Sequence, residues 1–196
     1  MEMSYEVVQN GHLAAVVTFL EMCARPAVSV PSSNLNLRRI TSPKTGPYRE
    51  LFRRVGATWL WFSRLVMDDA ALATIIGDSQ VELFAVEDEQ GCDAGMLELD
   101  FREAGQCELA FVGLTPELSG KGHGRWLLSE ATSKAWRDGI SRVHVHTCSL
   151  DHPAALSAYR RAGFTPFKRA IERFPDPRLL KILPMDCAPQ IPLIHP

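Results

Sequence analysis

The feature that most constrains this chain is a turn with three glycines at alternate positions, which joins an apolar run to an amphipathic one. Residues 112–128 read VGLTPELSGKGHGRWLL, and the glycines are Gly120, Gly122 and Gly124. Glycine lets consecutive backbone N–H groups converge in conformations that other residues resist, and the start of a helix adds unpaired donors and a positive dipole end. The turn therefore predicts a backbone cradle for an anion.

The charged residues of the turn indicate what kind of anion it holds. Lys121 and Arg125 add positive charge at the rim, so a diphosphate is the expected ligand. A P-loop nucleotide site needs G-K-[ST], but Gly122 follows Lys121, and a dinucleotide fold needs G-x-G-x-x-G, but Arg125 stands three residues after Gly122. Both nucleotide motifs fail at a named position. Taken alone, the turn leaves open a flexible connection before a helix.

The segments around the turn predict a mixed fold. Pro47 begins one helical pattern and Asp68 caps a second, a third helix starts at about Arg125 and ends at Gly139, and a fourth runs between Asp151 and Gly163. The strand-like runs are VELFAVED, MLELDF, CELAFVGL and RVHVHTC. Antiparallel hairpins followed by a strand-helix-strand unit predict a mixed α/β (α+β) fold, with a mostly antiparallel central sheet flanked by helices.

The length of 196 residues predicts one domain with extensions. We expect a strand and loop extension at 1–46, a core at 47–174 and an extended, partly ordered tail with six prolines at 175–196. The stretch from Pro31 to Pro47 indicates a loop. No apolar run approaches the roughly 20 residues of a membrane span, and the first residues do not resemble a signal peptide. A cytoplasmic protein is the expectation.

Charge and cysteine usage make several partners unexpected. The formal net charge is -2, with acidic and basic residues mixed, which gives no reason to expect nucleic acid or an anionic membrane as partner. The five cysteines include no C-x-x-C pair and are best explained as reduced, small apolar residues. His144, His146 and His152 suggest a metal site, but no acidic ligand stands at a supporting spacing, so we expect no bound metal.

The turn and a later segment, DHPAALSAYRRAGF, together resemble motifs A and B of the GNAT acetyltransferases. In that family the turn reads [RQ]-x-x-G-x-[GA], and the later helix reads N-x-x-A-x-x-x-Y-x-x-x-G-F. Gly122 and Gly124 match the two small positions of the turn. The later segment matches at four positions: Ala155, Tyr159, Gly163 and Phe164. The resemblance covers roughly residues 107–167 and departs at Ser119, where the family prefers Arg or Gln, and at Asp151, where Asn is commoner.

The resemblance implies acetyl-CoA as co-substrate, with its pyrophosphate on the glycine turn. Gly113 stands where the family strand has a bulge, which would free backbone groups of the residues beside it; a plain strand irregularity is the alternative. The residues that the resemblance implies for acetyl-CoA binding are Val112, Leu114, Ser119, Gly120, Lys121, Gly122, His123, Gly124, Arg125 and Asp151.

The resemblance also implies catalytic residues. The family tyrosine that matches Tyr159 protonates the sulfur of CoA, and a glutamate that matches Glu108 acts as general base in one branch of the family. We place Glu108 on the strand face shared with Ala110 and Val112. The alternatives are a buried tyrosine with a backbone partner and a solvated strand glutamate.

The acceptor is expected to be a small-molecule or peptide amine. The family shapes its acceptor site from the first helices and adjoining strands, which here include Trp59, Trp61, Arg64, Glu98 and Asp100. The two acidic residues are expected on the polar face of their strand, where they could attract a cationic amine, while the tryptophans are expected to fill core.

The resemblance therefore predicts an N-acetyltransferase that transfers the acetyl group directly in a ternary complex. A noncatalytic acyl-CoA-binding or regulatory module is the alternative from another class, and a nucleotide-binding domain is a third, disfavoured by the missing G-K-[ST]. GNAT proteins are often dimers, so a homodimer stays an open alternative.

Overall fold

The computed structural model describes residues 3–27 and 29–196 and contains one seven-stranded sheet. The strands are His12–Met22 (β1), Asn36–Ile40 (β2), Val81–Glu87 (β3), Asp93–Asp100 (β4), Gln106–Leu114 (β5), Arg142–Cys148 (β6) and Thr165–Pro175 (β7). The α-helices are Thr45–Gly56 (α1), Asp69–Ile76 (α2), His123–Ala135 (α3) and Ala155–Arg161 (α4). The sheet order is β2-β3-β4-β5-β6-β1-β7, and only the β5–β6 pair is parallel. The predicted mixed, mostly antiparallel fold is confirmed.

The two sheet faces bury separate cores because side chains alternate along each strand. Leu97 and Leu99 of β4 pack with the α3 stripe on one face, whereas Met96 packs with α1 and α2 on the other. The apolar side chains of α3 are buried, and the helix ends at Ala135, before the predicted stop at Gly139. Helices therefore cover both faces of the sheet.

The N-terminal run HLAAVVTFLEM forms β1 in the interior of the sheet. It pairs antiparallel with β6 on one side and with β7 on the other. Leu20 and Met22 lie in the core. A nearly continuous apolar run suits a strand that has neighbours at both edges.

The start signals of the first two helices behave as predicted. Pro47 lies in the first turn of α1, whose apolar stripe is buried, and the helix ends at Gly56. The carboxylate of Asp68 accepts a hydrogen bond from the Ala71 N–H at 2.7 Å and caps α2. The stretch from Pro31 to Pro47, predicted as a loop, contains the short strand β2 at the sheet edge, so that prediction was wrong in part.

The C-terminal tail is packed against the domain, contrary to the prediction of partial order. Arg178 is buried and pairs with Asp176, with 2.7 Å between Nη2 and Oδ2. Its guanidinium also donates to the carbonyl oxygens of Cys187, Ala188 and Ile191. A buried charge needs such partners, so the tail folds around one guanidinium. In the part of the chain that the structure describes, no helix has the length and apolarity to cross a bilayer.

Candidate active site

The parallel strands β5 and β6 are hydrogen-bonded to each other only over their first three residues. The two strands pair from Gln106 with Arg142 to Glu108 with His144, and β5 continues to Leu114 without a partner on that edge. Backbone N–H and C=O groups along this part of β5 are therefore free on the side facing β6. Val112 and Leu114, both predicted binding residues, lie on this unpaired stretch.

A bulge does interrupt β5, but it lies at Ala110 and not at Gly113. Glu98 pairs with Phe111 and the next residue, Leu99, pairs with Leu109, which leaves Ala110 as the extra residue. A bulge moves the following side chains to the opposite face. Val112 and Leu114 consequently pack on the α3 core with Leu109, while Phe111 packs towards α1. The predicted shared face for Glu108 and Val112 was wrong for this reason.

Gly113 has a different structural role. A Cβ atom at this position would lie 2.6 Å from Cγ1 of Val55 and 3.1 Å from the ring of Trp61. The residue is thus glycine because α1 and Trp61 approach the strand closely. Trp61 in turn packs against the rings of Phe52 and Phe111, at centroid distances of 5.6 and 5.3 Å.

The glycine turn leads directly into α3, which begins at His123. Gly120 and Gly122 have φ angles of 77° and 86°, in the left-handed region that glycine occupies without strain. Gly124 shows no such angle, and a Cβ atom would meet nothing at any of the three glycines. Two of the three glycines are therefore required by the backbone conformation.

An open cavity of about 490 Å³ lies beside this turn. It is lined by Lys121, Gly122, His123, Arg125 and Trp126, and by residues 31–34 of the segment before β2. In residues 3–27 and 29–196, neither Lys121 nor Arg125 forms a salt bridge. The turn thus offers positive charge that is not held in an ion pair with any described carboxylate.

Ser119, which departs from the family pattern, connects the turn to the segment before α4. Its Oγ lies 3.2 Å from Nε2 of His152, while Nδ1 of the same ring accepts from the Ala154 N–H at 3.1 Å. Because Nδ1 accepts, the neutral ring carries its hydrogen on Nε2 and donates it to Ser119. The ring of Trp59 packs against His152 at a centroid distance of 5.0 Å.

Asp151 does not cap α4, contrary to the prediction. Its carboxylate accepts hydrogen bonds from the Thr147 hydroxyl at 2.6 Å, the Cys148 N–H at 2.9 Å and Nε1 of Trp61 at 3.2 Å. The residue that precedes α4 is Ala154, without a side-chain cap. The carboxylate folds back to the end of β6 because three donors converge there, and it holds Trp61 in place.

Tyr159 is buried on α4, with an exposed fraction of 9 %. Its ring packs edge-on against Phe164 at a centroid distance of 5.8 Å. In residues 3–27 and 29–196 the phenol hydroxyl has no hydrogen-bond partner. Burial, with a smaller effect of Asp151, raises the pKa of Tyr159 above its ordinary value. The phenol therefore stays protonated and has a proton to donate.

Glu108 and His146 form a pair at the end of the closed ladder. Oε1 of Glu108 lies 3.3 Å from Nδ1 of His146, and the two side chains are 32 % and 49 % exposed. The hydrogen bond from His146 lowers the pKa of Glu108, and the same bond raises the pKa of His146. A carboxylate and an imidazole are thus accessible where β5 and β6 separate.

Glu98 and Asp100 are not free to attract an amine, contrary to the prediction. Glu98 is fully buried, and its carboxylate accepts hydrogen bonds of 2.5 Å from both the Tyr48 hydroxyl and Nη2 of Arg64. Asp100 accepts from the backbone and guanidinium of Arg102. Both acidic groups are therefore already neutralised by partners within the chain.

The GNAT family model, described as "Acetyltransferase (GNAT) family", matches residues 48–164, more than half of the chain. The chain belongs to the GNAT acetyltransferase family. This match confirms the resemblance to GNAT acetyltransferases that the glycine turn and the Tyr159 segment indicate.

Other relatives share parts of this GNAT chain. It is 36 % identical over 64 residues to a mycothiol acetyltransferase of Jonesia denitrificans, which covers 33 % of this chain and 20 % of that protein. A GCN5-related N-acetyltransferase from Sphaerobacter thermophilus matches with a TM-score of 0.60 at 18 % identity, over 84 % of this chain and 53 % of that one. An aminoglycoside acetyltransferase from an uncultured soil metagenomic sample, crystallised with sisomicin, gives 0.55 at 15 % identity, over 71 % and 93 %. The chain thus spans about half of the Sphaerobacter protein.

Two residues of this GNAT site were not recognised as functional from the sequence. The sequence suggests His146 and His152, like His144, only as metal ligands or as core or hydrogen-bonded histidines. The described residues contain no cluster of three or more metal-ligating side chains. The alternation in RVHVHTC places His144 and His146 on one face, but the pairing with Glu108 depends on the β5–β6 register. The sequence of one strand alone does not predict that register.

Proposed function

We propose that this chain transfers an acetyl group from acetyl-CoA to a primary amine, directly within a ternary complex. The observation that carries the proposal is the open ladder beyond Glu108 and His144, which leaves backbone donors and acceptors of β5 unpaired. These groups suit the pantetheine arm and the thioester oxygen of an acyl-CoA. Family membership supports the same substrate.

The residues of the turn fit the pyrophosphate of acetyl-CoA. Gly120 and Gly122 are in the left-handed conformation immediately before α3, where unpaired backbone N–H groups and the helix dipole favour negative charge. Lys121 and Arg125 line the neighbouring cavity and lack intramolecular partners among the described residues, so they would pair with the phosphate oxygens. His123 and Ser119 complete this candidate site, and Asp151 supports it through Trp61.

Tyr159 would act as the general acid. Transfer breaks the C–S bond, and the departing thiolate needs a proton. The Tyr159 phenol keeps its proton at neutral pH and spends no hydrogen bond on a described protein group, which suits this role. Glu108, with His146, would supply the basic group that removes a proton from the acceptor ammonium.

The acceptor is proposed to be a small molecule. The names of two relatives, a mycothiol acetyltransferase and an aminoglycoside acetyltransferase crystallised with sisomicin, support this class over a peptide. The side chains around the Glu108–His146 pair would contact the acceptor, because Glu98 and Arg64 are occupied by one another.

A noncatalytic acyl-CoA-binding module is the second candidate. It is favoured by Ser119, which removes the long side chain that the family prefers at this position and is tied to His152 instead.

Two assays distinguish these functions. Calorimetry of acetyl-CoA, CoA and ATP is expected to show binding of the first two and weak or no binding of ATP. Thiol release from acetyl-CoA is then measured with a panel of amino acids, polyamines, aminoglycosides and peptides. An amine-dependent release supports the transferase. Binding of CoA without release for any amine supports the module, and absence of CoA binding contradicts both.

A further inference from the structure

We propose that Nε2 of His146 accepts the proton of the acceptor ammonium, and that Glu108 is a positioning residue acting through it. The inference rests on the proposed acetyl transfer and deepens it, since it assigns the base at that site. It departs from the interpretation of Glu108 as the base itself.

His146 lies where β5 and β6 separate. Glu108 and His144 form the last pair of the closed β5–β6 ladder, so His146 is the first residue on the same strand face where the ladder has opened. Its side chain is half exposed, and its ring lies 5.8 Å from that of Phe19 on β1. An imidazole in this position borders the opening proposed for the thioester and is accessible to an acceptor from solvent.

The tautomer of the His146 ring also supports a role as base. The lowered pKa of Glu108 keeps its carboxylate ionised, so the carboxylate can only accept a hydrogen bond. With Nδ1 of His146 3.3 Å from this acceptor, the tautomer with the hydrogen on Nδ1 is favoured, and that neutral ring presents a lone pair on Nε2. A carboxylate that holds Nδ1–H also stabilises the imidazolium formed when Nε2 takes a proton. Glu108 has this role here, because its Oε1 is engaged with the ring.

The surrounding charges favour the same assignment. Facing His146 are one neighbouring histidine, one lysine and several carboxylates: His144 on β6, Glu108 on β5, Glu21 on β1, Glu172 and Lys168 on β7, and Asp151 in the following loop. Glu21 is paired with Arg142. The hydrogen bond and charge of Glu108, followed by Asp151 and Glu172, raise the pKa of His146, whereas burial lowers the pKa of His144. His146 is therefore the stronger base of the two.

The reaction balances with these groups. One proton of the ammonium passes to Nε2 of His146, and the freed amine forms a C–N bond with the thioester carbon as the C–S bond breaks. Tyr159 gives its proton to the sulfur, and the second proton lost by the nitrogen restores the phenol. Amide and CoA thiol leave, and the His146 proton returns to solvent.

The test compares three matched variants, His146→Gln, Glu108→Gln and the control His144→Gln, with the wild type. For each, kcat is measured as a function of pH with two amines of different pKa. If the pH at which kcat falls on the acidic side (the acid limb) is the same for both amines, the titrating group belongs to the enzyme and not to the amine. The imidazole titration is followed by NMR, and CoA binding and thermal unfolding show that each variant is folded and loaded.

The expected results have a definite sign. The neutral imidazole is the active form, so activity falls as the pH drops through the pKa of His146. In Glu108→Gln that pKa falls, so the acid limb and the NMR titration move together to lower pH, while kcat drops about 10-fold. His146→Gln removes the limb and lowers kcat by about 10² to 10⁴, and His144→Gln changes kcat less than about threefold.

Two results would overturn the inference. In one, His146→Gln keeps both the limb and the rate of the wild type. In the other, Glu108→Gln loses the limb entirely while the His146 titration continues. If the wild type releases no thiol with any amine, the proposed function fails and the assignment of the base fails with it. If the wild type is active and His146→Gln does not change that activity, the assignment of the base is wrong while the proposed function stands.

Discussion

Two glutamates on the same face of neighbouring strands have opposite environments. Glu98 on β4 is fully buried, with both carboxylate oxygens bonded to Tyr48 and Arg64. Glu108 on β5 is partly exposed and shares one oxygen with His146 at the opening of the ladder. The Glu98 carboxylate has hydrogen-bond partners on both oxygens, whereas the accessible Glu108–His146 pair can still form further hydrogen bonds.

This difference shows why residue type alone does not identify a site. Both carboxylates stand on one face of the sheet, yet one stabilises the packing of α1 on the sheet and the other is available for chemistry. A satisfied buried network holds a unique structure, whereas a group that still lacks a partner can respond to a ligand. Substitutions should therefore separate stability from turnover.

The largest expected effect is the loss of stability in Glu98→Gln. The substitution removes the charge that neutralises the mostly buried side chain of Arg64, and breaking a buried pair typically costs about 3–5 kcal/mol. Chemical denaturation should show this loss, while Glu108→Gln should stay within about 1 kcal/mol of the wild type because its partners are half exposed. Equal losses in the two variants would erase the distinction.

Tyr159→Phe should lower turnover more than Tyr48→Phe does. Losing the general acid is expected to lower kcat by up to about 10²-fold with little change in acetyl-CoA affinity. Steady-state thiol release and calorimetry measure the two quantities. The removed hydroxyl has no described protein partner, so stability should hardly change. Unchanged turnover would remove Tyr159 from the reaction.

Tyr48→Phe is the matched control with the opposite signature. It deletes the hydroxyl that donates to Oε2 of Glu98 and leaves a buried oxygen without this donor, at a cost of about 1–3 kcal/mol. The melting temperature should fall while kcat per folded molecule stays near that of the wild type. A variant that kept its stability but lost turnover would place the Glu98 network in the reaction.

Arg125→Ala should produce the smallest effect, on affinity alone. One charge-assisted contact with phosphate at an open cavity is worth about 1 kcal/mol, so the Kd of CoA should rise roughly 5-fold. Arg169→Ala on the exposed β7 is the matched control and should leave the Kd unchanged. Calorimetry distinguishes the two, and an equal change in both would mean that only net charge matters.

Much of the fold followed from local patterns. The Asp68 cap and the start of α1 at Pro47 are set by residues close in sequence, which is why local signals predicted them. The short strand β2 was missed because its five residues, NLRRI, show little alternation at an exposed edge.

The errors in the site have one physical cause, which is pairing between distant segments. The bulge at Ala110 is defined by register against β4, the Asp151 carboxylate is drawn to Trp61 and the end of β6, and Glu98 finds Tyr48 on α1. Apart from Thr147 and Cys148, which precede Asp151 by four and three residues, these partners are distant in sequence. The glycine turn could be recognised because its backbone requirement is local.

The most direct test of the central claim is a crystal structure of the chain with CoA. We expect the pyrophosphate against the N–H groups around Gly122, the pantetheine along the unpaired stretch of β5, and the sulfur within hydrogen-bonding reach of the Tyr159 hydroxyl. CoA bound elsewhere with this turn empty, or a sulfur far from Tyr159, would contradict it.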